Sequence, residues 1–80
     1  MLAELARRKV VVGSKQLRKA LESGRARLVF LARNADPAIT EPLEAMCRRD
    51  DVTCVWVQSM LELGQACGID VGAAAAAAVE

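Results

Sequence analysis

Val10-Val11-Val12-Gly13-Ser14-Lys15-Gln16-Leu17-Arg18-Lys19-Ala20-Leu21-Glu22-Ser23-Gly24 and, after Arg25-Ala26-Arg27, Leu28-Val29-Phe30-Leu31 decide the fold. Three β-branched residues in a row read as a short buried strand. Gly13 turns the chain, and Ser14 is the expected N-cap of the helix that follows. Over residues 14–23, Leu17, Ala20 and Leu21 form one apolar stripe, while Lys15, Gln16, Arg18, Lys19 and Glu22 take the remaining surface. Ser23-Gly24 stops the helix, and Leu28 to Leu31 form a second buried strand. A strand–helix–strand unit of this length favours a right-handed parallel crossover.

Working outward, residues 2–8 form a short helical candidate, with Leu2, Leu5 and Ala6 on one stripe and Arg7 and Arg8 near its end. Asn34-Ala35-Asp36-Pro37 is a loop in which Asp36-Pro37 opens a helical turn. Pro42 removes a hydrogen bond from any helix that contains it deeply. The expectation is therefore a turn at 36–39 and a helix over 40–49 with Leu43, Met46 and Cys47 inward. Asp50-Asp51 turns into a third strand, 52–57, which places Trp56 in the core. Ser59-Met60-Leu61-Glu62 fits a capping box, opening a helix that runs to Cys67 and stops at Gly68.

Ala73 to Ala78 is the ambiguous segment. Alanine is the best helix former, but the preceding alternation calls for one more strand. Small side chains on both faces suit a strand held between two helical layers, so a strand is expected. The sum is one domain over 1–80, an α/β fold. It is a three-layer α/β/α sandwich with a central mixed sheet of about four strands.

At 80 residues there is room for one domain and a modest core. The absence of histidine excludes His-dependent zinc sites, the Ser-His-Asp triad and Cys-His dyads. No apolar stretch reaches membrane-helix length, no segment resembles a signal peptide, and the expected location is the cytoplasm. With 54% hydrophobic and 26% charged residues, the chain is not of the disordered class. Cys47, Cys54 and Cys67 match no zinc or redox spacing and read as small apolar side chains in a reducing compartment. Scattered acids and the lack of His and Tyr argue against an enzyme, and no metal or cofactor is expected.

The net charge of +1 conceals an asymmetry. Residues 1–33 carry nine Lys/Arg against two acids, +7, and residues 34–80 carry two Arg against eight acids, −6. Such asymmetry either builds a basic face for a polyanion or cancels by interleaving in the fold. Gly13-Ser14-Lys15-Gln16 stands at a strand end and helix start, where free N–H groups attract anions. Lys15 and Lys19 share a helix face. Lysine donors reach guanine O6 and N7, and Gln16 offers both donor and acceptor to base edges. Cations oppose the dipole at a helix start, which tips the reading towards function over an ordinary solvated turn. No P-loop or Gly-rich dinucleotide motif is present. Phe30 and Trp56 are too few, and too buried in expectation, for an aromatic stacking platform. Ile69-Asp70-Val71-Gly72 is either a plain connector or an apolar pad for an unstacked base.

The run from Gly13-Ser14-Lys15-Gln16 through Leu17-Arg18-Lys19-Ala20-Leu21 to Ser23-Gly24 resembles the kink-turn-binding ribosomal protein family. So do Asn34-Ala35-Asp36-Pro37 and the run Leu63-Gly64-Gln65-Ala66-Cys67-Gly68-Ile69-Asp70-Val71-Gly72-Ala73-Ala74-Ala75. Length and Gly-Ser-Lys-Gln look most like the short bacterial YbxF- and YlxQ-type members. The resemblance implies a non-enzymatic α/β/α protein that binds kink-turn RNA, with tandem sheared G·A pairs and a splayed bulge base. It implies that Gly13, Ser14, Lys15, Gln16 and Lys19 meet the G·A pairs from the major-groove side. It implies that Ile69, Asp70, Val71, Gly72 and Ala73 pack on bulge nucleotides, and that Asp36, Thr40 and Met60 line the flipped-base pocket. Archaeal and eukaryotic members carry Asn-Glu at Lys15-Gln16, a branched aliphatic at Thr40 and a lysine at Met60. Val71 stands where the eukaryotic protein has arginine.

The expected partner is RNA containing a kink-turn, in a ribosomal or riboswitch setting, bound by a monomer with no membrane or small-molecule substrate. The alternative is a protein-interaction or ribosome-assembly module of the same fold with weak RNA affinity. An anion-binding enzyme built on the Gly13 helix start is disfavoured because no nucleophile or base accompanies it.

Overall fold

Four apolar segments pair into one sheet in a computed structural model that describes residues 9–80. The helix expected over 2–8 lies outside the described residues. The elements are β1 (Lys9–Val12), α1 (Ser14–Glu22), β2 (Ala26–Ala32), α2 (Pro37–Arg49), β3 (Thr53–Val57), α3 (Met60–Ala66) and β4 (Ala75–Val79). The spatial order is β1-β4-β2-β3, antiparallel at β1–β4 and β4–β2, parallel at β2–β3. The three-layer mixed α/β architecture is as expected. The first two strands run parallel, but β4 separates them.

That insertion explains the alanines. Ala75, Ala76, Ala77 and Ala78 are all 0% exposed. Ala75 and Ala77 face a cluster made with Leu17, Leu21, Leu43 and Cys47 of α1 and α2. Ala76 and Ala78 face a second cluster with Leu63 of α3 and Ala35 and Ala73 of the loops. A central strand covered on both faces lets its helices approach only if its side chains are small. Burial and pairing override the helical propensity of alanine here.

Helix α2 starts at Pro37, three positions sooner than the sequence suggests. Asp36 caps it, accepting from Ala38 N–H at 2.9 Å, and Pro37 sits where its missing N–H costs nothing. Pro42 then lies within the helix, in its second turn. Both Pro42 and Ala38, whose carbonyl lacks the usual partner, are exposed, so water can serve that oxygen. Leu43 and Cys47 on the buried side keep the helix continuous. The other correction is at α1. Its N-cap is Gly13, not Ser14, and no side chain caps the helix.

At α3 the Ser59 hydroxyl oxygen accepts from Glu62 N–H at 3.1 Å, the main half of a capping box. Trp56 is half-buried rather than enclosed, and its Nε1–H donates to Glu44 Oε2 at 3.3 Å.

Candidate functional site

β1, β2 and β3 are mutually parallel, so their C-terminal ends and the start of β4 share one rim of the sheet. All three helices among the described residues begin at that rim. Backbone bonds sew the rim together. Gly13 N–H donates to Ala75 O, Ala32 N–H to Ala74 O and Arg33 N–H to Val57 O, each at 2.9 Å. The rims of parallel strands are where α/β folds place ligands, because loops there are free to vary while the sheet holds their roots.

Gly13 enters α1 with φ 100° and ψ 151°, a backbone region essentially restricted to glycine. Its own N–H is held by Ala75, and its carbonyl accepts from Leu17 N–H at 3.0 Å. The first turn of α1 has no capping side chain and no acid beside its amides. Ser14 is half-buried; Lys15, Gln16, Arg18 and Lys19 are exposed. Among the described residues none of Lys15, Arg18 and Lys19 forms an ion pair. Other cations are already engaged: Arg27 pairs with Glu80 at 2.6 Å and Arg49 with Asp50 at 3.0 Å. The Arg49 guanidinium holds the Asp50 carboxyl below the usual carboxylate range. The outer face of α1 thus carries three cations without an ion-pair partner among the described residues; Lys9, Arg25 and Arg33 also have none there.

The 69–73 loop is fastened to α3. Ile69 N–H donates to Gly64 O at 3.0 Å and Ala73 N–H to Met60 O at 2.9 Å. Gly64 is buried in the helix, and a Cβ built there would collide with the Val71 carbonyl. A Cβ on Gly72 would stand 3.1 Å from Met60 Cβ. Glycine at both places allows backbone-on-backbone packing. Met60 is held from its other side as well, its N–H donating to Asn34 Oδ1 at 2.8 Å.

The structure brings Met60, Gly72 and Ala73 into direct contact, ties Ile69 to Gly64 of the same helix and places Gly13 beside Ala75 on the same rim. The expected apolar pair splits. Val71 is 66% exposed, whereas Ile69 is half-buried against the α3-side cluster. Asp36 is exposed but its carboxylate is engaged as the α2 cap. Thr40 is 3% exposed and Ala73 is buried, so both lie beneath the surface rather than on it. Asp70 and Gly72 are exposed.

Three further rim residues carry no sequence signal of their own. Ile39, in the first turn of α2, and Leu61, in the first turn of α3, are exposed and apolar. With Val71 they are the exposed large apolar side chains among the described residues. Asn34 acts at long range, and only the fold reveals it. Gly64 has a readable sign, since an isolated glycine inside a helical pattern marks a close approach.

No helix among the described residues is long and apolar enough to cross a membrane. No group of three or more His, Cys, Asp or Glu among them could hold a metal ion.

Residues 2–80 match the profile described as the Ribosomal protein L7Ae/L30e/S12e/Gadd45 family. The chain is 45% identical over 69 residues to RNA-binding protein YbxF of Geobacillus stearothermophilus, covering 86% of this chain and 84% of that one. It is 38% identical over 78 residues to an RNA-binding protein of Caldanaerobacter subterraneus, covering 98% and 95%. It superposes with a TM-score of 0.87 on the Giardia lamblia 15.5kD RNA binding protein, at 28% identity over 99% of this chain and 67% of that one.

Proposed function

This chain belongs to the Ribosomal protein L7Ae/L30e/S12e/Gadd45 family, and on that premise we propose that it is a non-enzymatic RNA-binding protein that recognises kink-turns. The observation that carries the reading is the shared rim. An uncapped helix start with unpaired cations shares that rim with a loop hydrogen-bonded to α3 that presents an exposed apolar residue. Several relatives named as RNA-binding proteins match most of the chain.

In this reading the first-turn amides at 14–16 and the Lys15 and Lys19 ammonium groups meet the phosphates and guanine edges of the sheared G·A pairs. Gln16 supplies an amide that both donates and accepts. Gly13 keeps the approach low, and Val71 with Gly72 packs on the bulge nucleotides. Ile69, Asp70 and Ala73 belong to that same loop against the bulge nucleotides, and Asp36, Thr40 and Met60 line the flipped-base pocket. The protein acts by population shift, binding bent RNA better than extended RNA. The setting is cytoplasmic, as a monomer on a ribosomal or other structured RNA.

Gel shift with a kink-turn RNA and a control whose G·A pairs are replaced by Watson–Crick pairs tests this. Specific binding is expected to vanish with the control. Undiminished binding to the control would overturn the kink-turn reading and leave general RNA affinity.

A further inference from the structure

We propose that Cys47 and Cys54 form an oxidisable dithiol, which a hydroperoxide converts to an intramolecular disulfide across the joint between α2 and β3. Nothing in the RNA reading uses this joint. It lies at the opposite end of the sheet from the rim, where α2 finishes and β3 begins.

The geometry of the joint brings the two cysteines together. The chain reverses through Asp50 and Asp51, the latter with φ 57°, and Val52 N–H donates to Cys47 O at 2.8 Å. That bond fastens the Cys47 backbone two residues ahead of Cys54. Both side chains belong to the cluster between the sheet and α1–α2, Cys47 as a buried member and Cys54 packed against it. Their side chains are neighbours within that cluster. Cys67 is on the other side of the sheet, in the cluster around α3.

The two thiols differ in the way a reacting pair requires. Cys47 is 1% exposed, whereas Cys54 is half-buried on β3, which forms an edge of the sheet among the described residues. A hydroperoxide therefore reaches Cys54 first. Donation from the Cys47 thiol favours the Cys54 thiolate and lowers its pKa, while the same interaction and burial raise that of Cys47. Cys54 is the nucleophile and Cys47 keeps its proton. The isolated Cys67 thiol is shifted upward by burial. Thiolate character and access set the order of oxidation.

The chemistry balances in two steps. The Cys54 thiolate attacks one peroxide oxygen, the O–O bond breaks, and Cys54 sulfenic acid and an alkoxide or hydroxide form. Cys47 sulfur then attacks the Cys54 sulfur, the S–O bond breaks, and the departing oxygen takes the Cys47 proton to leave as water. The two sulfurs together lose two electrons, and the peroxide gains them.

The test uses the reduced full chain exposed to hydrogen peroxide, then unfolded in guanidinium, alkylated with N-ethylmaleimide, weighed intact and peptide-mapped. The expected product is a monomer carrying a single N-ethylmaleimide and otherwise lighter by two hydrogen atoms. Its 47 and 54 thiols are closed to alkylation, Cys67 is still open, and a peptide pair is linked through 47 and 54. Dithiothreitol should restore both thiols. Cys47→Ala should leave Cys54 as a sulfenic acid trapped by dimedone. Oxidation stopping at Cys54 sulfinic acid with Cys47 still alkylated would overturn the proposal. So would disulfides only between molecules, or Cys67 oxidised first.

Discussion

Asn34 and Met60, 26 positions apart, are joined by a 2.8 Å hydrogen bond from the Met60 N–H to the Asn34 side-chain oxygen. The bond ties the loop after β2 to the start of α3, and Met60 O in turn holds Ala73. Asn34→Ala leaves the Met60 amide to water and should cost about 0.5–1.5 kcal/mol. Urea denaturation measures that cost. Kink-turn affinity should fall with it, since the 69–73 loop hangs on the same residue. Unchanged affinity would show that the loop is held without Asn34.

Gly64 is the second support of that loop. Gly64→Ala drives a methyl into the Val71 carbonyl. Overpacking of this kind costs about 1–3 kcal/mol. The carbonyl is backbone and cannot rotate aside, so the loop must lift. Circular dichroism should report a retained fold, with reduced melting temperature and weaker RNA binding. A variant as stable as the parent would show that the loop yields freely.

Gly13 tests backbone strain apart from space. A Cβ there meets nothing within 4 Å, yet φ is 100°. Gly13→Ala and Gly13→Ser should therefore lose similar stability, about 1–3 kcal/mol. A loss that grew with side-chain size would place the constraint in packing instead.

Lys19 and Gln16 separate charge from base reading. Lys19→Ala should make the log–log salt dependence of kink-turn binding shallower by about 0.7–0.9 for each phosphate no longer neutralised. Gln16→Ala should leave that slope alone and weaken kink-turn binding more than binding to a plain duplex. Equal weakening on both RNAs would reduce Gln16 to a bystander of the basic face.

Most of the fold was legible because the two periodicities were clear. The β-branched and apolar runs gave strands, the Leu17-Ala20-Leu21 stripe gave a helix, and Gly24 and Gly68 ended helices in the left-handed conformation. The alanine strand was legible only through context, since its local propensity points the other way. The start of α2 is less legible, because whether Pro42 breaks a helix depends on its facing water, which the fold decides. Of the rim residues, the Gly13 turn was visible locally. Asn34 was not, because its partner is set by strand order. The exposure of Leu61 and Ile39 depends on which side of each helix meets the sheet, and one turn of sequence cannot specify that.

Ala77 lies between β1 and β2, opposite Val11 on one side and Val29 on the other. Ala77→Leu should push α1 and α2 off the sheet and cost about 1–3 kcal/mol, read by thermal or chemical unfolding. Parent-like stability would mean that the helices can shift at no cost.

The place of β4 also governs how the chain can fold. It comes after every other strand in sequence, yet it alone bridges β1 to β2. A nascent chain that has made the first three strands holds a parallel β2–β3 pair and a β1 with no sheet neighbour. The sheet closes only when β4 threads between them, and these pairings span most of the chain. Closure is thus paid for in long-range loop entropy, which makes it a late and slow event. Until then the apolar edges of β1 and β2 stay open, which makes the interval before β4 arrives the one most exposed to aggregation.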